Sequence, residues 1–135
     1  SGAMTKSASI LVEIPAGELI DKITILEIKS DRILDAAKLA NIRAELTTLA
    51  ATRDQAMAPS AELAALTARL KAVNESLWVI EDDIRDCERA RDFGPRFVEL
   101  ARAVYVTNDE RATLKRQINL LTGSRLIEEK SYAPY

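Results

Sequence analysis

Polar side chains recur at three- and four-residue intervals in two parts of the sequence, where they could line a binding groove. Asn74, Trp78, Glu81 and Arg85 form one series, and Asn108, Arg111, Lys115 and Asn119 form another. Side chains at these intervals are neighbours on one face of an α-helix. Guanidinium, ammonium and amide groups bind phosphate oxygens through charge-assisted hydrogen bonds. Two such faces opposite each other therefore favour an anionic, phosphorylated small molecule as ligand.

The candidate binding site combines both series with three further residues. Asp82 adjoins the first series, while Asp21 and Lys22 come from the first predicted helix. The full set is Asp21, Lys22, Asn74, Trp78, Glu81, Asp82, Arg85, Asn108, Arg111, Lys115 and Asn119. A lone tryptophan in a polar stripe beside the core is typical of a groove that another helix or a ligand occupies.

A purely structural interpretation of the same cations is that they form ion pairs at a partly solvated seam. Residues 81–92 contain six acidic residues against three arginines, which gives Arg111 and Lys115 acidic partners on the preceding helix. Arg111 stands where the seven-residue pattern requires an apolar side chain, and burying an unpaired guanidinium is costly. We expect its partner to be one of four acids: Glu81, Asp82, Asp21 or Glu27.

Short acidic spacings suggest a metal-dependent alternative. Glu18 and Asp21 stand three residues apart, as do Asp83 and Asp86, and Mg²⁺ prefers carboxylates clustered with phosphate oxygens. All-helical nucleotide pyrophosphohydrolases use such pairs on adjacent helices. Here the Glu-x-x-Glu half is missing and the order of the pairs is reversed. We therefore predict no metal site and no cofactor.

A helical mutase of the chorismate type is a metal-free alternative, since it needs only cations and polar donors around a dianionic substrate. Suitable side chains are Arg32, Arg43, Arg85, Arg111, Lys115 and Gln117. The arginine expected at the start of the first helix is absent, and acids stand there instead. This departure argues against a mutase.

Composition excludes several other functions. The chain has no histidine, which removes Ser–His and Cys–His catalysis, and its single Cys87 falls on an apolar stripe, as an inert core residue does. A formal net charge of −2 and the lack of a basic run with interleaved aromatic residues argue against nucleic-acid binding. With no signal peptide and no apolar run near the roughly 18 residues that span a bilayer, we expect a cytoplasmic protein without membrane contact.

Helical periodicity must position these side chains, because the sequence predicts an all-α fold. Apolar stripes indicate an up-down bundle of three long helices with coiled-coil packing. The first begins at 16–17, and its stripe loses register at 35–38, where the helix bends or breaks into two. The second begins after Ser60 and ends before Phe93, and the third ends at Gly123.

The N-terminal residues are predicted to lie outside the bundle. We interpret residues 1–9 as a cloning remnant (Ser1–Ala3) with a flexible N-terminus, and residues 10–135 as one helical-bundle domain. The β-branched segment Ile10–Ile14 ends at a proline and is expected to be extended. Since one strand cannot form a sheet, it must lie on the bundle, pair with the C-terminal tail or pair with another subunit.

Four blocks of the sequence resemble a family of small, uncharacterised bacterial helical proteins, a domain of unknown function. The first is IPAGELIDKITILEIK at 14–29, and the last is GS at 123–124 with EEKSY at 128–132. The other two are VNESLWVIEDDIR at 73–85 and NDERATLKRQIN at 108–119. The resemblance implies a natural single-domain bacterial protein, and it implies no activity.

We therefore expect a non-enzymatic interaction or assembly module, which associates with itself as a homodimer or higher oligomer or binds another protein. The apolar surface of the first helix at Ile20, Ile25 and Ile28 is broader than one bundle seam needs, which favours a partner there. The alternative is a site for an anionic phosphorylated metabolite between the second and third helices, in its enzymatic form a Mg²⁺-dependent nucleotide phosphohydrolase. Convergence of the two polar series in one pocket would favour this alternative.

Overall fold

The computed structural model of the protein describes residues 8–135, which fold into four α-helices without a strand. These are α1 (Ala16–Arg32), α2 (Ala36–Ala56), α3 (Ala61–Arg89) and α4 (Pro95–Thr122). The all-α prediction is confirmed. The first predicted helix is divided into α1 and α2, so the fold has four helices rather than three. The predicted cloning remnant and most of the predicted flexible N-terminus lie outside the described residues.

α1 is the central helix of the fold. It packs against each of the other three helices, and α3 packs against α4, whereas α2 packs against α1 alone. Gly17 and Asp21 of α1 contact Asn119 and Arg111 of α4, respectively, so α1 and α4 run antiparallel. The polar side chains of α4 therefore meet α1 directly.

Local signals set the ends of the other helices. The side chains of Asp35 and Ser60 accept hydrogen bonds from backbone N–H groups three residues further on, at 2.9 and 3.0 Å, and cap α2 and α3. Pro95 lies in the first turn of α4. Gly123, with φ of 69°, ends α4 in the left-handed conformation that glycine adopts readily.

The hydrophobic core forms around α1. Its centre consists of four side chains that are at most 1% exposed: Ile20, Leu70, Leu114 and Ile118. Ile28 is also buried and Ile25 is half-buried. The broad apolar surface of α1 is thus largely covered within the chain, because a central helix has neighbours on several sides. Its width gives no reason for a second subunit.

α3 and α4 extend well beyond α1. α1 has 17 residues and α3 has 29, which at 1.5 Å per residue gives lengths of about 25 and 43 Å. Because α1 begins beside the C-terminal end of α4, the first part of α4 and the last part of α3 continue without it. In this two-helix part, several apolar side chains are only half-buried: Ile84, Phe97, Ala101 and Val104.

The described segment before α1, residues 8–15, has no regular secondary structure and forms no strand. Ile10 and Leu11 are 85% and 97% exposed. Glu13 accepts two hydrogen bonds from Arg125, at 2.8 and 2.5 Å, and this pairing lowers the pKa of Glu13. The segment is therefore tied by charge to the start of the C-terminal tail.

The C-terminal tail, residues 124–135, has no regular secondary structure and runs back along α4. Three contacts define its course: Lys115 with Glu128, Arg116 with Glu129, and Asp109 with Tyr135. The Tyr135 ring also packs edge-on against Tyr105, with centroids 5.3 Å apart. From Glu128 and Glu129 beside Lys115 and Arg116 to Tyr135 beside Asp109, the tail advances towards the start of α4, so its overall course is antiparallel to the helix.

Candidate functional site

Asp21 is the centre of a buried polar cluster between α1, α3 and α4. Its side chain is 1% exposed. The Arg111 guanidinium donates to both carboxylate oxygens, from Nε to Oδ1 at 2.9 Å and from Nη2 to Oδ2 at 2.5 Å. This bidentate pair compensates two charges that would be costly to bury alone. The hydrogen bonds to Asp21 raise the pKa of Arg111.

Asn74 and Thr24 complete the buried cluster. Asn74 Nδ2 donates to Asp21 Oδ1 at 2.9 Å and to Thr24 Oγ1 at 3.0 Å. The Thr24 hydroxyl donates to the Asp21 backbone oxygen at 2.8 Å, which leaves its lone pairs to accept from Asn74. Residues from three helices thus share one carboxylate, which fixes how those helices meet.

Lys115 is a buried cation, 7% exposed, one helical turn beyond Arg111. Its Nζ lies 2.7 Å from Glu18 Oε2 on α1 and 2.8 Å from Glu128 Oε1 on the tail. Burial alone would lower the pKa of Lys115, but hydrogen bonds to Glu128 and Glu18 outweigh it, and the pKa is raised. One ammonium group therefore joins α1, α4 and the tail.

Asn119 has a structural partner at the start of α1. Its Oδ1 accepts a hydrogen bond from the Gly17 backbone N–H at 2.6 Å, and Ser124 Oγ lies 3.4 Å from the Ala16 backbone nitrogen. Pro15, at the N-cap of α1, makes no side-chain capping bond, so α4 and the tail supply the acceptors that a helix start needs. Asn119 Nδ2 is buried without a hydrogen-bond partner among the described residues.

A cavity of about 250 Å³, the junction cavity, lies where Ile25 and Ile28 of α1 meet α3 and α4. Its apolar wall consists of Ile25, Ile28, Leu77 and Trp78, and its polar lining of Asn74, Glu81, Asp82, Arg85 and Arg111. A small molecule could place an apolar or aromatic part against Trp78 and a charged group near an arginine. Because two acids balance the two arginines, the lining has no excess of positive charge.

A second cavity of about 120 Å³, the tail cavity, lies beside Arg111 between α4 and the tail. It is lined by Asn108, Arg111, Ala112, Lys115, Glu128 and Lys130. Three of these side chains are cations and one is a carboxylate. The tail cavity is therefore richer in positive charge than the junction cavity.

The structure brings the predicted site residues together only in part. Six of the eleven line the junction cavity: Asn74, Trp78, Glu81, Asp82, Arg85 and Arg111. Asn108 and Lys115 line the tail cavity, and Asp21 lies beneath Arg111. Lys22 is half-exposed and 3.8 Å from Glu18, and Asn119 lines neither cavity. The two polar series do not converge in one pocket.

The ion-pair partners also differ from those predicted. Asp21, one of the four predicted partners of Arg111, is its partner. The prediction that Lys115 pairs with the acids of α3 is wrong, because α1 and the tail lie against the face of α4 that carries it. Among the α3 acids, Asp83 lies 3.4 Å from Arg96 at the start of α4.

Sequence reasoning missed the structural roles of Glu128, Thr24 and Gly17. Pro15 was the available signal for Gly17, since a proline N-cap has no side-chain acceptor and the first N–H groups of the helix must be satisfied from elsewhere. Nothing local to Glu128 indicates a partner thirteen residues earlier in the chain. Contacts between a tail and a helix depend on tertiary structure, which helical spacing does not encode.

The acidic pairs do not form the pattern of a metal-dependent hydrolase within the described residues. In residues 8–135, no group of three or more potential ligands is arranged to hold a metal ion. Glu18 and Asp21 are bound to Lys115 and Arg111 instead. Of the side chains considered for a mutase, only Arg85 and Arg111 line the junction cavity.

The sequence from residue 10 to residue 135 matches the model of DUF6165, a family of unknown function. The chain belongs to this family. Comparison with curated proteins and with solved structures gives no match. Among the described residues, no helix is both long and apolar enough to cross a membrane. The family carries no assigned activity.

Proposed function

We propose that this protein is a self-associating helical module, a homodimer formed through the part of the α3–α4 hairpin that extends beyond α1. The observation that supports the proposal is that, among the described residues, no third helix covers the α3–α4 hairpin at this end of the fold. Near the other end, α1 covers the groove between α3 and α4. Beyond α1 the same groove continues with no covering helix among the described residues, and a second copy fits it as the occupant.

The face of the hairpin that meets α1 can be followed along both helices. On α3 it carries Trp78, Glu81 and Arg85, which line the junction cavity. On α4 it carries Arg111, which lines the same cavity, and, 7, 10 and 14 residues earlier on the same helical stripe, Val104, Ala101 and Phe97. These three apolar side chains are half-buried, as expected for a groove with one side open. Pairing two such grooves would complete a four-helix arrangement.

The charge order on α3 supports a second copy over an unrelated partner. Along the groove, Glu81, Arg85 and Glu88 alternate in sign. A two-fold axis near residues 81–85 would place Arg85 of each subunit beside Glu81 of the partner subunit. Arg85 and Glu81 are 3.6 Å apart within one chain and both side chains are more than 40% exposed, so they are free to exchange partners. Isologous contacts of this kind are the usual basis of homodimers.

Sedimentation velocity at tens of micromolar tests the proposal. We expect a species of twice the 14.9 kDa chain mass. Ala101→Glu introduces a bulky charge into the groove and should give monomers. Val106→Glu is the matched control, since Val106 is on the same helix, is 49% exposed and lies on the side of α4 away from Phe97, Ala101 and Val104. A monomeric wild type, or dissociation by Val106→Glu and not by Ala101→Glu, would overturn the proposal.

A second candidate function is binding of a small anionic metabolite in the junction cavity. It is favoured by one observation, which is that Trp78, Asn74 and Arg111 line a single cavity. Trp78 is half-buried there, so its fluorescence should respond to an occupant. Titration with nucleotides and sugar phosphates, with and without Mg²⁺, tests this candidate. A response that survives in the Ala101→Glu variant would separate it from dimerisation.

A further inference from the structure

We infer that the tail cavity is a binding site for a small oxyanion, and that the carboxylate of Glu128 holds the position which that oxyanion would take. The inference does not depend on self-association. It concerns the space between α4 and the tail beside Arg111, where Asn108, Lys115 and Lys130 surround about 120 Å³. Phosphate and carboxylate groups share the chemistry that these donors recognise.

The charges around the tail cavity are the first evidence for an oxyanion site. Arg111 is already neutralised by Asp21, and Lys115 by Glu18 at 2.7 Å. Glu128, at 2.8 Å, is thus the second carboxylate on one ammonium group. Lys130 forms no ion pair among the described residues and lies only over the Tyr132 ring, 5.7 Å from its centroid. Without Glu128 the site would carry a net positive charge. Arg111 and Lys115 would keep Asp21 and Glu18 as partners.

The hydrogen-bond donors of Arg111 and Lys115 are the second line of evidence for the site. Nε and Nη2 of Arg111 bind Asp21, whereas Nη1 makes only a long contact, 3.4 Å, with Asn108 Oδ1. The Lys115 ammonium has three donors, and carboxylates of Glu18 and Glu128 engage two of them. An oxyanion that replaced Glu128 would inherit one Lys115 hydrogen bond and find Arg111 Nη1 and Lys130 nearby. One water molecule needs roughly 10–15 Å³ of accessible space, and the cavity, at about 120 Å³, exceeds this several-fold.

The weakness of the ionic contacts between the tail and α4 is the third line of evidence for the site. Its other ionic contact with α4 is the pair between Arg116 and Glu129, whose side chains are 45% and 70% exposed. Exposed pairs of this kind contribute little to stability. Glu128, at 41% side-chain exposure, is accessible from solvent. A free oxyanion can therefore compete with Glu128 without unfolding the helices, and the tail acts as a built-in competitor for the site.

The experiment compares binding of inorganic phosphate by wild type and by Glu128→Gln, using isothermal titration at constant ionic strength. Glutamine keeps the size of the side chain and removes its charge, so we expect Glu128→Gln to bind phosphate at least tenfold more tightly. Glu129→Gln is the matched control, because it neutralises the neighbouring tail acid that pairs with Arg116, and it should bind as wild type does. Adding Lys130→Gln to Glu128→Gln should weaken binding again.

Acetate in place of phosphate shows whether the site prefers a carboxylate, the chemistry of Glu128 itself, or a phosphate. Stronger binding of either ion by Glu128→Gln supports the site. Equal affinities of wild type and Glu128→Gln for both ions, or an equal gain in Glu129→Gln, would overturn the inference. Circular dichroism of each variant confirms that the helices are intact. The dimer proposal is tested by mass and the oxyanion site by affinity, so either can fail alone.

Discussion

At the residue scale, Asp21 and Arg111 illustrate how a single ion pair organises three helices. The carboxylate is almost fully buried, whereas the guanidinium is 29% exposed. Loss of the arginine would leave the carboxylate with only the Asn74 side chain as donor. Loss of the carboxylate would leave a cation that can still reach water. The two partners are therefore not equivalent, and substitution of each should have a different cost.

We expect Arg111→Met to lower the free energy of unfolding by about 3 kcal/mol, because it strands a buried carboxylate. Asp21→Asn should lower the free energy of unfolding by less, since the asparagine amide is uncharged and the unpaired Arg111 can reach solvent. The double variant should be more stable than the sum of the single losses predicts, with a coupling of about 1–3 kcal/mol. Chemical denaturation of wild type, the two single variants and the double variant measures this coupling as a double-mutant cycle. Strict additivity would contradict a direct interaction between the two side chains.

The identity of such partners could be predicted from the sequence only in part. The apolar register required a carboxylate for Arg111, and Asp21 was among the four candidates. The same reasoning assigned Lys115 to α3, although its partners are Glu18 and Glu128. Helical spacing determines which residues share one face of a helix. It does not determine which neighbouring element that face meets, so a central α1 and a returning tail were not foreseeable.

At the scale of elements, helix ends were more predictable than helix neighbours. Ser60 and Gly123 act locally, through a side-chain cap and a left-handed backbone, and the sequence shows both directly. The start of α1 is different, because its acceptors come from Asn119 and Ser124, more than a hundred residues away. α1 and α4 approach so closely at this point that residue 17 has no room for a side chain.

Gly17→Ala tests this close approach. A Cβ on residue 17 would overlap the Lys115 backbone oxygen and lie 2.9 Å from Asn119 Oδ1. Alanine normally favours a helix over glycine, but here we expect a loss of about 2 kcal/mol, typical of overpacking. Gly94→Ala is the control, since its nearest new contact is the Asp92 side chain at 3.2 Å. Thermal melting should show a clear decrease for Gly17→Ala and little change for Gly94→Ala.

Of the four helices in the described part of the chain, α2 packs least tightly against the rest of the fold. None of its residues is buried, and it packs against α1 alone. Local opening requires least free energy where few apolar contacts are lost. We expect backbone amides of α2 to exchange with deuterium well before those of α1 and the adjoining parts of α3 and α4. Exchange of α1 as fast as α2 would contradict the central position of α1.

At the scale of the whole molecule, Lys115 links elements that are distant in sequence. Its ammonium group contacts α1 through Glu18 and the tail through Glu128. The hydrophobic core fixes α1 between α3 and α4, and this cation adds the tail to the same assembly. The charge of one residue therefore helps to hold α1, α4 and the tail together.

Alkaline pH should remove this contribution, and the sign follows from the pKa. Burial opposes the charged form of Lys115, but hydrogen bonds to Glu128 and Glu18 raise its pKa above the ordinary 10.5. A group whose pKa is higher in the folded state stabilises the fold fully below its unfolded pKa, and this stabilisation is lost as the pH rises through the folded pKa.

We therefore expect wild type to be more stable than Lys115→Met by a constant amount from neutral pH up to about 10.5, with the difference shrinking at higher pH. Urea denaturation of both proteins across this range measures it. Glu18 and Glu128 are 30% and 41% exposed, so they stay hydrated in the variant. A difference that persists unchanged above the lysine pKa would show that Lys115 stabilises the fold by packing rather than by charge.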